Sequence, residues 1–235
     1  MNKKNSNNKF IKGLAVALLL PLAFFIYYQV KVQRSVSKKI ISLPGYYGVD
    51  TVINGDTLYH KVDELTLTNQ LGQLVSLNKD LKGKIVVVNF FFSTCPTICP
   101  KLTQNMTLLQ KAFRKDPKRE SSLQNTVHLV SITVDPAKDS FQALRAYADG
   151  YHVNHDNWWF MTGDRNAIYN YARNELKVVM APTTGGAEDF IHTQKVVVLD
   201  TARHIRGYYD GLNEKEMKKC ADDIVLLTLE KRPKK

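Results

Sequence analysis

The sequence predicts an α/β domain in which helices cover a mixed sheet, and three observations carry that prediction. Apolar runs of strand length alternate with amphipathic runs of helical length along most of the 235 residues. The run KIVVVNFFF at 84–92 is rich in β-branched and aromatic residues and reads as a strand buried on both faces. Turn formers such as Asp135-Pro136 and Gly150 fall at the joints between runs.

Taken in order, residues 40–55 form a Gly- and Pro-interrupted connecting segment, and ELTLTNQLGQLVSL at 64–77 alternates on either side of a turn, which predicts a hairpin. After the strand at 84–92, Leu102, Met106, Leu109 and Phe113 recur at helical spacing in a helix beginning near Thr97. TVHLVSITVD at 126–135 is the next buried strand. DSFQALRAYADG gives a short helix, NWWFMTG a strand, and DRNAIYNYARNEL a helix starting from Asp164. TQKVVVLD and IRGYY make a strand and its hairpin partner, and NEKEMKKCADDIVLLTLE closes the chain as a helix.

Ahead of this domain, GLAVALLLPLAFFIYYQV at 13–30 carries no charge. Its length at a ~1.5 Å rise per residue gives ~27 Å, close to the ~30 Å of a bilayer core. The expectation is one retained transmembrane helix, with a cleaved signal peptide as the competitor. The organisation expected is therefore a basic tail at 1–12, an anchor at 13–30, a linker at 31–57, the domain at 58–230 and a basic tail at 231–235.

The net charge of +11 suggests nucleic acid only until its position is noted. Eight of the 33 basic residues flank the apolar run and four more lie in the terminal KRPKK, so the domain is near neutral and no nucleic-acid face is expected.

The chemistry concentrates in FFFSTCPTICPKL, where Cys95 and Cys99 stand four residues apart at the carboxyl end of the buried strand. Open α/β sheets tend to bind ligands at such strand ends. If the helix starts by Cys95, the two sulfurs share one face and can meet each other or one metal ion, and the helix N-terminus favours thiolate over thiol. Two thiolates are too few for structural zinc, but with one imidazole they suit Cu(I). Among the six histidines His192 is the candidate third ligand, since it opens a strand able to neighbour the cysteine strand. Cys220 reads as a small apolar residue of the last helix.

With FFFSTCPTICPKLTQNM, SITVDP, TGD, DFIHT and VVLD followed by IRGYYDG in view, the sequence resembles the Sco (SCO1/SenC) proteins over roughly residues 58–228. That resemblance implies a thioredoxin-like domain outside the cytoplasm, here on a bacterial inner membrane and facing the periplasm, with the basic tail at 1–12 cytoplasmic. It implies one copper ion per chain, held by Cys95, Cys99 and His192, with Asp135 acting on the site from behind. It also implies delivery of copper to the copper-binding subunit of cytochrome c oxidase, with an upstream copper donor or thiol reductant as a further partner. The alternative expectation is a thiol–disulfide reductase that keeps the oxidase's copper-ligand cysteines reduced; it needs Cys95 and Cys99 but not His192. A peroxidase is a weaker reading, because the Thr-x-x-Cys spacing is not met.

Overall fold

The computed structural model describes residues 19–22, 24–28, 43–53, 56–114, 123–178 and 193–230. The chain divides into two compact units, Met1–Ser42 and Leu43–Lys235.

In the first unit, residues 19–22 and 24–28 are helical. At ~1.5 Å per residue these short pieces reach about half a bilayer core, and among the described residues no helix is long and apolar enough to cross a membrane. The transmembrane anchor expected at 13–30 is thereby corrected. The single-pass, inner-membrane placement that rested on it is corrected with it, and so is the periplasm-facing anchoring that the resemblance implied. The remainder of that stretch, at 13–18, 23 and 29–30, lies outside the described residues.

The second unit is built on a seven-stranded sheet with a separate two-stranded hairpin. The hairpin pairs β1 (Val49–Ile53) with β2 (Asp56–Tyr59), mostly within the stretch the sequence assigns to a linker at 31–57 and ending two residues past it. Its exposed side chains explain the oversight, because a strand pair that buries little shows no apolar alternation. The main sheet contains β3 (Thr66–Asn69), β4 (Leu74–Ser76), β5 (Ile85–Phe91), β6 (Val127–Thr133), β7 (Trp158–Thr162), β8 (Lys195–Leu199) and β9 (Ile205–Asp210) in the order β4-β3-β7-β6-β5-β8-β9. Strands β5, β6 and β7 run parallel, and the outer pairings are antiparallel. This is the expected thioredoxin-like mixed sheet.

Helices α1 (Ile98–Ala112), α2 (Phe141–Gly150), α3 (Arg165–Asn170) and α4 (Glu214–Leu229) cover it. Ser140, Asp164 and Asn213 cap the last three through their side-chain oxygens, which satisfies amides that would otherwise lack partners. A π-turn at Tyr171–Glu175 extends α3. Every residue of β5 and β6 is buried, because both sheet faces carry an apolar layer. Within β5 the buried Asn89 interrupts the apolar run, and it accepts a 2.7 Å hydrogen bond from Ser131 Oγ, which itself accepts from Trp158 Nε1 at 2.9 Å.

Candidate functional site

Both cysteines lie where β5 hands over to α1. The helix begins at Ile98, so Cys99 sits in its first turn and Cys95 lies three residues ahead of it. Pro96 accounts for this, since a residue preceding proline is pushed away from helical geometry. The expectation that both cysteines share a helix face is replaced by a loop thiol facing a helix thiol.

That arrangement makes the two sulfurs chemically unequal. Thr97, at the N-cap, makes no side-chain hydrogen bond to the first turn. The Cys95 sulfur takes that role. Burial pushes the Cys95 thiol up, but hydrogen bonds from the backbone N–H groups of Cys99, Thr97 and Ile98 and from the Cys99 thiol outweigh it, holding the group below its ordinary value. For Cys99 the balance runs the other way. Burial drives it up to about 12 against a hydrogen bond from the Phe92 backbone N–H, and its bond to Cys95, the charge there and the Asp139 carboxylate raise it further. Cys95 is also the more open of the two, at 8% exposed against 3%.

The loop is pinned from behind. The Cys95 N–H donates to Phe92 O at 3.2 Å, and the Val134 N–H to Phe91 O at 2.9 Å, closing the ends of β5 and β6 together. Helix α1 is seated by buried Leu102, Met106, Leu109 and Phe113 and by Asn105 Nδ2, which donates to Gly211 O at 2.7 Å. One turn along from Cys99, Thr103 Oγ1 shares a 2.9 Å hydrogen bond with Tyr147 Oη.

Asp135 is buried at the end of β6. Its N–H donates to Thr133 Oγ1 at 3.0 Å and its carboxylate faces Lys138 Nζ at 3.5 Å. Its own carbonyl accepts from the N–H of Asp139 at 2.9 Å, so it connects to the dithiol loop through Asp139. Sequence reasoning missed Asp139, although the short spacing from Asp135 was there to be noticed. His192 lies outside the described residues.

Four of the other histidines are engaged elsewhere or unpaired. His60 stands between Asp50 and Glu175 at 3.3 and 3.1 Å, His155 lies 2.8 Å from Asp149, and His204 is 3.6 Å from Asp200. His128 is buried in β6 with neither ring nitrogen hydrogen-bonded. Cys220 is fully buried in α4, where burial raises its thiol.

Copper was the ion the sequence led us to expect. Among the described residues no group of three His, Cys, Asp or Glu side chains is placed to hold a metal ion. The nearby Asp139 carboxylate already accepts three hydrogen bonds from Ser93 and Thr133. The described residues thus give the copper-chaperone reading no metal site, and it is corrected on that ground; the ligand set Cys95, Cys99 and His192 stays an expectation, since His192 lies outside the described residues. What the described residues do supply is a complete dithiol, the requirement of the reductase alternative.

A thioredoxin-like domain with two unequal thiols at a strand-to-helix junction defines a dithiol protein of the thioredoxin-like class. The SCO1/SenC family model matches residues 56–227, and the chain belongs to that family. It is 30% identical over 171 residues to the SCO1 protein homolog of Bacillus subtilis, covering 72% of this chain and 82% of that one. Among solved structures it is similar to BsSco, described as a member of the Sco family of cytochrome c oxidase assembly proteins with a disulfide switch. The identity there is 30% and the TM-score 0.61, over 75% of this chain and 98% of that one. Bradyrhizobium japonicum ScoI, solved with copper bound, shares the fold at 22% identity and a TM-score of 0.55, over 71% and 99% of the two chains.

Proposed function

We propose that the chain is a thiol–disulfide reductase of cytochrome c oxidase assembly, acting through the domain at 58–230 on the cysteines of the oxidase's copper-binding subunit. The observation that carries this reading is the inequality of Cys95 and Cys99.

In the first step the Cys95 thiolate attacks one sulfur of the partner's disulfide. A mixed disulfide forms, and the partner's other sulfur leaves as a thiolate and takes up a proton. Cys99 then loses its proton and attacks the Cys95 sulfur, releasing the second partner thiolate and closing Cys95–Cys99 into a disulfide. Two electrons have passed to the partner. Loss of the Cys95 negative charge in the mixed disulfide removes two of the effects that hold Cys99 protonated, so the second thiol becomes reactive when it is needed. A thiol reductant upstream restores the pair. The disulfide switch described for BsSco and the oxidase-assembly role of its family support the choice of partner.

The test is trapping. A peptide carrying the subunit's two cysteines as a disulfide is mixed with Cys99→Ser and with Cys95→Ser. Accumulation of a mixed disulfide with the first variant and none with the second is expected. Equal trapping by both, or none by either, overturns the assignment.

A further inference from the structure

The buried carboxylate that meets the dithiol loop is Asp139. It is 0% exposed and accepts from the Ser93 N–H at 3.1 Å, from Ser93 Oγ and from Thr133 Oγ1. Among the described residues no cation pairs with it. A buried carboxylate without a counter-ion is costly, and its field is not screened by water. Three donors offset that cost. Two of them belong to Ser93, two residues before Cys95, and the third to the end of β6.

We infer that Asp139 is the positioning residue of the thiol pair: it ties the loop at 92–97 to β6 through Ser93 and Thr133, and its negative charge sets the balance between dithiol and disulfide. This rests on the thiol-exchange reading. The sulfurs of Cys95 and Cys99 share a hydrogen bond, so charge on either falls within the same field. Oxidation by glutathione disulfide takes two electrons from the pair, releases its protons and leaves a neutral S–S bond, while two glutathione thiols form. Asp139 therefore disfavours the reduced, anionic pair against the oxidised, neutral one. Removing its charge favours the dithiol; leaving the charge but removing a donor does the reverse.

The experiment equilibrates the full chain, Asp139→Asn and Thr133→Val with mixtures of reduced and oxidised glutathione, then counts free thiols by the mass added on alkylation after acid quenching. The expected shift for D139N is about tenfold toward the dithiol, or ~30 mV by the two-electron relation. T133V, similar in shape, is expected to move about twofold toward the disulfide. Opposite signs are the diagnostic, because a merely loosened loop would move both the same way. An unchanged midpoint in D139N with T133V also unmoved, or shifts of the same sign in both, overturns the inference. Should D139N fail to fold, the direction of T133V decides. If the unmodified chain fails to reduce the oxidase peptide while the opposite shifts persist, the reductase reading falls and the role of Asp139 in its own pair stands.

Discussion

His128 stands edge-on to Trp159, ring centroids 4.3 Å apart, with no hydrogen-bond partner for either ring nitrogen. Burial, reinforced by the Lys84 charge, lowers the imidazole to about 3 from its ordinary 6.5. The native state therefore holds His128 neutral where the unfolded chain would protonate it. Its contribution is complete above the unfolded value and is lost as pH falls toward the folded one. Stability should drop by about 1 kcal/mol per pH unit between roughly pH 6 and 3 from this group alone. Urea titrations across that range should show a flatter pH dependence for His128→Phe, and an equal slope in both proteins would refute the account.

The inequality of the thiols predicts selective labelling. At neutral pH iodoacetamide should alkylate Cys95 at least tenfold faster than Cys99, because only Cys95 has its thiolate stabilised by helix amides. Peptide mapping by mass spectrometry after short exposure measures this. Comparable rates at the two positions would show that the amides do not stabilise the Cys95 anion in solution.

Arg206 is 2% exposed and nonetheless charged. Its guanidinium pairs with Glu230 at 2.7 Å and Asp200 at 3.2 Å, donates to the carbonyls of Pro44 and Gly45, and lies 4.0 Å from the ring centre of Tyr46. Removing the cation of such a network leaves the buried Asp200 and the partly exposed Glu230 carboxylates uncompensated. Arg206→Met should cost about 3–5 kcal/mol in urea unfolding. A loss under ~1 kcal/mol would mean that the pairing is dispensable.

Gly211 marks where α1 meets the loop after β9. A Cβ there would run into the Leu102 side chain and lie 3.0 Å from the Gln194 carbonyl oxygen, a backbone atom unable to give way. Gly211→Ala should lower stability by about 1–3 kcal/mol through overpacking. Because Leu102 lies one turn beyond Cys99 on α1, the variant should also slow closure of the disulfide. Thermal unfolding and stopped-flow oxidation test the two effects separately.

Much of the fold was readable in advance because its central strands are long and apolar and its helices are periodic and capped. The hairpin at 64–77, the strands at 84–92 and 126–135, the cap Asp164 and the start of a helix near Thr97 all follow from local pattern. The β1–β2 hairpin was not readable, since its side chains are exposed, and Asn89 hid inside a run that looked wholly apolar. Uncharged length at 13–30 suggested a membrane span, because hydropathy records composition alone; among the described residues no helix is long and apolar enough to cross a membrane.

The order of residues by itself determined that two thiols would stand at the carboxyl end of a buried strand, since burial of KIVVVNFFF and the prolines beside each cysteine are local properties. Only the tertiary structure decided which thiol gives up its proton more readily. That depends on amides left open by Thr97, on the depth at which Cys99 is packed, and on Asp139 arriving from beyond the next strand, all of which act through space and leave no trace in spacing along the chain.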